Sequence, residues 1–113
     1  MNSSTPTTRN TYELRLEDSF DALAIVELRH SFDKLVELER DVEFNLERVT
    51  FIDSSGLGAI VFLFKRLRAI NKTLTISNAH GQPLQLLQYL RVDKVIDVSV
   101  KETADESKGE DNE

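Results

Sequence analysis

Phe51-Ile52-Asp53-Ser54-Ser55-Gly56-Leu57-Gly58 joins two kinds of hydrophobic pattern. Upstream, Val42, Phe44 and Leu46 alternate with Glu43, Asn45 and Glu47, and Val49, Phe51 and Ile52 follow. A period of two is the mark of a strand, here with a bend expected near Glu47-Arg48. Downstream, Leu57 to Ile70 is apolar at helical spacing. The octet therefore links the carboxyl end of a strand to the amino end of a helix, the edge where ligands and contacts gather in open α/β sheets. Ser54 or Ser55 suits the N-cap, where a hydroxyl accepts from a free backbone N–H. Gly56 and Gly58 each cost a helix about 1 kcal/mol relative to alanine. Two of them in one turn suggest a surface left bare for a partner; the plainer alternative is that they relieve packing against the sheet.

Tyr12, Leu14 and Leu16 alternate with Glu13, Arg15 and Glu17, which predicts a first strand. Asp18-Ser19-Phe20-Asp21 reads as a turn, with Asp21 or Ser19 as the cap of a helix over residues 22–40. Asn71-Lys72 ends the central helix, and Leu74 and Ile76 belong to a third strand. Ser77 to Pro83 reads as a loop, Pro83 opens a helix reaching about Leu90, and Val95 to Val98 forms a short last strand. The order βαβαβαβ specifies an α/β fold. Its sheet should be four-stranded and mostly parallel, with three main helices packed against it.

The 113 residues suffice for a single domain. The absence of cysteine excludes a disulfide framework and thiolate chemistry. No apolar run approaches the ~20 residues that cross a bilayer, and residues 1–10 lack the pattern of a secretory signal, so a cytoplasmic protein is expected, without a membrane. The net charge of −6 opposes direct binding to nucleic acid. Residues 101–113 carry −4 of it, which leaves −2 for residues 1–100. That acidic tail is expected to be disordered and to serve solubility; residues 1–10 read as a flexible lead-in.

No constellation supports catalysis. The octet lacks the lysine of a phosphate-cradling GxxxxGK[ST] loop, and Asp53 before Ser54 breaks the GxSxG spacing of a nucleophile elbow. His30 and His80, far apart, are no metal signature, and a hydrogen bond is the simple role for His80. No cofactor is implied. Lys65, Arg66 and Arg68 complement the dipole at the end of the central helix. On a helical wheel at about 100° per residue, Leu57, Ile60, Val61, Phe64 and Leu67 share a sector expected to face the sheet. Phe62 falls outside it, beside Gly58, Lys65, Arg66 and Ala69. Phe62 either fills a gap against a neighbouring helix or is a half-exposed anchor beside the glycine-bared turn, with Lys65 and Arg66 at its rim.

The octet, with its preceding strand and following apolar helix, resembles the signature of STAS domains, in particular the bacterial anti-sigma factor antagonists. The resemblance covers about residues 11–100. It implies a four-stranded sheet with helices against it. It makes Ser54, the serine after the aspartate, the phosphorylation site, with Asp53 in the family's acidic position and Ser55 beside it. Asp21 matches the last residue of the family's turn before the first helix; the rest of that turn departs from the pattern, and the usual N-terminal strand pair is compressed into Tyr12–Glu17. The resemblance and the helical wheel together give the expected partner surface: Asp21, Asp53, Ser54, Ser55, Gly56, Leu57 and Gly58 around the motif, with Phe62, Lys65 and Arg66 from the wheel. The resemblance further implies that the unphosphorylated protein, a monomer or weak dimer, binds an anti-sigma factor that is itself a serine kinase. Phosphorylation releases it and a PP2C-like phosphatase reverses the change. Two other readings of the family are a STAS subunit of a membrane transport complex, of the lipid-transport ATPase type, and weak nucleotide binding.

Overall fold

The computed structural model describes residues 11–102. The elements run β1 (Thr11–Phe20), α1 (Ala22–Glu37), β2 (Asp41–Ile52), α2 (Ser54–Ala69), β3 (Leu74–Ala79), α3 (Gly81–Tyr89), a 3-10 turn (Val92–Lys94) and β4 (Asp97–Val100). The four strands lie in the order β1-β2-β3-β4, and every pairing is parallel. Rows across the sheet alternate in character. Leu14, Phe44, Ile76 and Val98 form one row, and Glu13, Glu43, Thr75 and Asp97 the next. One face is thus apolar and the other polar. Right-handed crossovers that always step the same way put their helices on one face, and α1, α2 and α3 all feed a single core there. Phe32 and Leu35 come from α1, Ile60, Leu63 and Leu67 from α2, and Leu87 from α3. Phe20, Phe32 and Phe44 sit at its centre with ring centroids 5.7–6.5 Å apart, within the range of favourable aromatic contacts. On the opposite face Asn45 donates to the Glu13 carboxylate at 2.7 Å and accepts from Asn78 at 3.1 Å, which satisfies a buried amide.

Several boundaries differ from the sequence-based expectation. β1 continues through Asp18-Ser19-Phe20, where a turn was expected. Asp18 adopts a left-handed φ of 59° at a register shift, after which Ser19 and Phe20 pair with Phe51 and Ile52 and Phe20 enters the core. Arg15 pairs with Asn45 but Glu17 with Arg48, so the expected irregularity near Glu47-Arg48 is a bulge. α1 stops at Glu37 rather than Arg40, because Glu39 turns left-handed at φ 56°. α2 starts at Ser54, a turn earlier than Leu57. β3 runs to Ala79, and α3 opens at Gly81 with Pro83 in its first turn. The last strand is Asp97–Val100 rather than Val95–Val98, since Val95 is exposed and Ile96 is drawn into the core as the 3-10 turn ends. The expectations for residues 1–10 and for most of the acidic tail fall outside the described residues.

Candidate functional site

The carboxyl ends of parallel strands and the amino ends of the helices that follow them share one edge of the sheet. Asp21 and Asp53 occupy the same place in successive βα units. Each has an extended backbone and caps its own helix, Asp21 accepting from the Ala24 N–H at 3.1 Å and Asp53 from the Gly56 N–H at 2.8 Å. The second oxygen of Asp53 lies 3.4 Å from the Ala22 N–H. One carboxylate therefore ties the starts of α1 and α2 together, where negative charge is favoured by both helix dipoles.

This corrects the expectation that Ser54 or Ser55 caps α2: Asp53 holds the N-cap, and the serines are the first two residues of the helix. Both are exposed, and neither hydroxyl is engaged by a described residue. The two glycines differ. A Cβ on Gly56 would collide with the Phe20 carbonyl oxygen, whereas one on Gly58 would meet nothing within 4 Å. Gly56 lets α2 close against the end of β1; Gly58 bares the surface. Gly56 and Leu57 are buried, so they support the site from beneath rather than touching a partner.

A third element fixes the strand end. The Gln82 side chain accepts from the Ile52 N–H at 2.8 Å and donates to the Ile52 carbonyl at 2.9 Å. It pairs with the backbone as a neighbouring strand would, two residues before Ser54. His80 makes a hydrogen bond from Nε2 to the Glu47 carbonyl at 2.8 Å. The carbonyl can only accept, so Nε2 carries the proton. No local pattern marks Gln82, because its partner lies 30 residues away in sequence.

Between α1 and α2 runs a groove of about 550 Å³, with Ala22, Ile25 and Phe32 on one wall and Ser55, Ala59 and Phe62 on the other. Phe62 is 62% exposed. The Arg66 guanidinium lies 5.7 Å from the centre of its ring and 2.9 Å from the Asp33 carboxylate across the groove. The structure thus brings together Asp21, Asp53, Ser54, Ser55, Gly58, Phe62 and Arg66. It separates Lys65, which points to the other flank of α2 beside Val61 and Phe64. The buried stripe of α2 is Gly56, Leu57, Ile60, Leu63 and Leu67. It is rotated by roughly 50° from the sector drawn on the wheel, and Val61 and Phe64 are only half-buried.

The STAS domain family model matches residues 2–107. The anti-sigma-B factor antagonist of Bacillus subtilis (strain 168) is 26% identical over 92 residues, 81% of this chain and 84% of that protein. The phosphorylated form of SpoIIAA, a Bacillus cell fate determinant, superposes with a TM-score of 0.64 at 21% identity, over 89% of this chain and 90% of that one. A sulfate transporter family protein from Wolinella succinogenes gives a TM-score of 0.69 at 15% identity, over 80% and 76% of the two chains. At these identities the two structures speak to the fold alone.

Proposed function

The chain belongs to the STAS domain family, and from that membership we propose that it is a cytoplasmic anti-sigma factor antagonist switched by phosphorylation of Ser54. The unphosphorylated protein binds an anti-sigma factor that is a serine kinase and so frees the sigma factor for transcription. The kinase moves the γ-phosphoryl group of ATP onto Ser54 Oγ; the bond to ADP breaks, and the hydroxyl proton passes to a base of the kinase. A PP2C-like phosphatase returns the serine by hydrolysis. The observation that carries the proposal is the placement of Ser54: exposed at the strand–helix junction, one residue after the Asp53 carboxylate, with a hydroxyl that no described residue engages. The antagonist name of the Bacillus subtilis relative points the same way.

The chemistry of the junction suits a switch rather than an unfolding trigger. A phosphate adds about −1.5 to −2 charges. The free N–H groups of a helix start accommodate an anion, so the fold survives. Against a docked partner the same group meets steric exclusion and the adjacent Asp53. Like charges forced together cost several kcal/mol, and every ~1.4 kcal/mol is tenfold in affinity, so release by about 10²-fold follows.

Phosphopeptide mapping after incubation with the cognate kinase is expected to find phosphate on Ser54. Ser54→Ala should bind the anti-sigma factor permanently, and Ser54→Asp should bind it about 10²-fold more weakly. Phosphate on Ser55 alone overturns the assignment. Co-purification with membrane transport subunits, indifferent to either substitution, would move the chain to the transport reading.

A further inference from the structure

On the flank of α2 away from the Phe62 groove, a second cleft of about 280 Å³ lies between α2 and the segment that joins α3 to β4. Val61, Phe64, Val92 and Ile96 line it, and Leu90 and Val95 stand at its lip, 48% and 62% exposed. Lys65, Arg68 and Arg91 rim it, and among the described residues no acidic one does. The ion pairs seen between described residues are Arg15–Glu13 and Arg66–Asp33, so all three rim cations are unpaired there. In a chain of net charge −6, that is a local concentration against the average. Arg91 is held at a left-handed φ of 62° just beyond α3, a position glycine fills without steric cost. Helix dipoles account for cations near helix ends, but not for the exposed leucine and valine between them.

We infer that this cleft is a second docking site, for an acidic segment of a partner protein that inserts one bulky apolar side chain among Lys65, Arg68 and Arg91. The volume lies at the bottom of the roughly 300–1,000 Å³ range of small-molecule sites, a size that suits a single side-chain anchor with charged flanks. Lys65 lies about 16 Å along the helix axis from Ser54, so docking here is independent of phosphorylation.

The probe is a fluorescein-labelled peptide with a central leucine-phenylalanine pair between runs of glutamate, titrated into the full chain by anisotropy and by backbone amide shifts. Shifts confined to 61–68 and 90–96 are expected. Arg68→Glu should weaken binding at least tenfold. Arg91→Gly should weaken it too while leaving the melting temperature unchanged or higher, which a structural role for Arg91 would not produce. Ser54→Asp should bind as wild type does. The inference fails if serine replaces the apolar pair without loss, if a single-stranded oligonucleotide competes equally, or if the shifts map to the α1–α2 groove. It also fails if a chain ending at Glu102 gains tenfold in affinity, which would assign the cleft to the protein's own acidic tail.

Discussion

A Cβ placed on Gly56 has nowhere to go, because the Phe20 carbonyl and ring close over it. Gly56→Ala should therefore cost about 1–3 kcal/mol, the range for overpacking, despite alanine's better helix propensity. Gly58→Ala faces open space and should gain about 0.5–1 kcal/mol from that propensity alone. Urea denaturation of the two variants separates these outcomes. If the bare turn at Gly58 receives a partner, the more stable Gly58→Ala will also bind the anti-sigma factor less well. The serines next to them owe their availability to Asp53: by taking the N-cap, its carboxylate leaves both hydroxyls without a partner among the described residues.

At the scale of the element, α2 presents two surfaces with different duties. Leu63 lies in the buried stripe at 1% exposure, and Phe62 beside it is open to solvent. Leu63→Ala should cost about 2–5 kcal/mol of stability, since it leaves a cavity in the core. Phe62→Ala should leave folding nearly intact and weaken anti-sigma factor binding by about 1–3 kcal/mol, as for an interface anchor. Denaturation and a binding titration on each variant decide the matter; a Phe62→Ala protein that unfolds, or binds like wild type, removes Phe62 from the interface. The Arg66–Asp33 pair is half-exposed on both sides and adds little to stability. Its more direct effect is to hold the guanidinium over the Phe62 ring.

Over the whole molecule, the core draws on residues between Leu16 and Ile96, and the last strand ends at Val100. Truncation after Glu102 changes the net charge from −6 to −2 and touches none of these residues. Its melting temperature should stay within about 2 °C of the full chain's, given that ~1 kcal/mol moves a domain of this size by about 4–8 °C. A larger fall in a calorimetric scan would show that the acidic tail takes part in the fold.

The sequence alone determined the element order and a strand–helix junction somewhere within residues 51–58, because both rest on local signals: period two, period 3.6, and the polar and glycine residues between them. That Asp53 rather than a serine caps the helix, and that it starts at Ser54, came from the structure. The sequence also isolated Phe62, since a wheel places a residue relative to its own helix. The orientation of that wheel was another matter. Which sector of α2 is buried depends on where the sheet and α1 lie, so Leu63 was missed and Lys65 was set on the wrong flank. Asp18-Ser19-Phe20 looks like a turn until β2 supplies the bulge that carries the pairing on to Phe20. The clamp of Gln82 on Ile52, the bridge from Asp53 to Ala22 and the α1–α2 groove join residues about 30 positions apart. Tertiary structure alone decided these, because hydrogen bonds and packing between distant segments leave no periodicity in the chain.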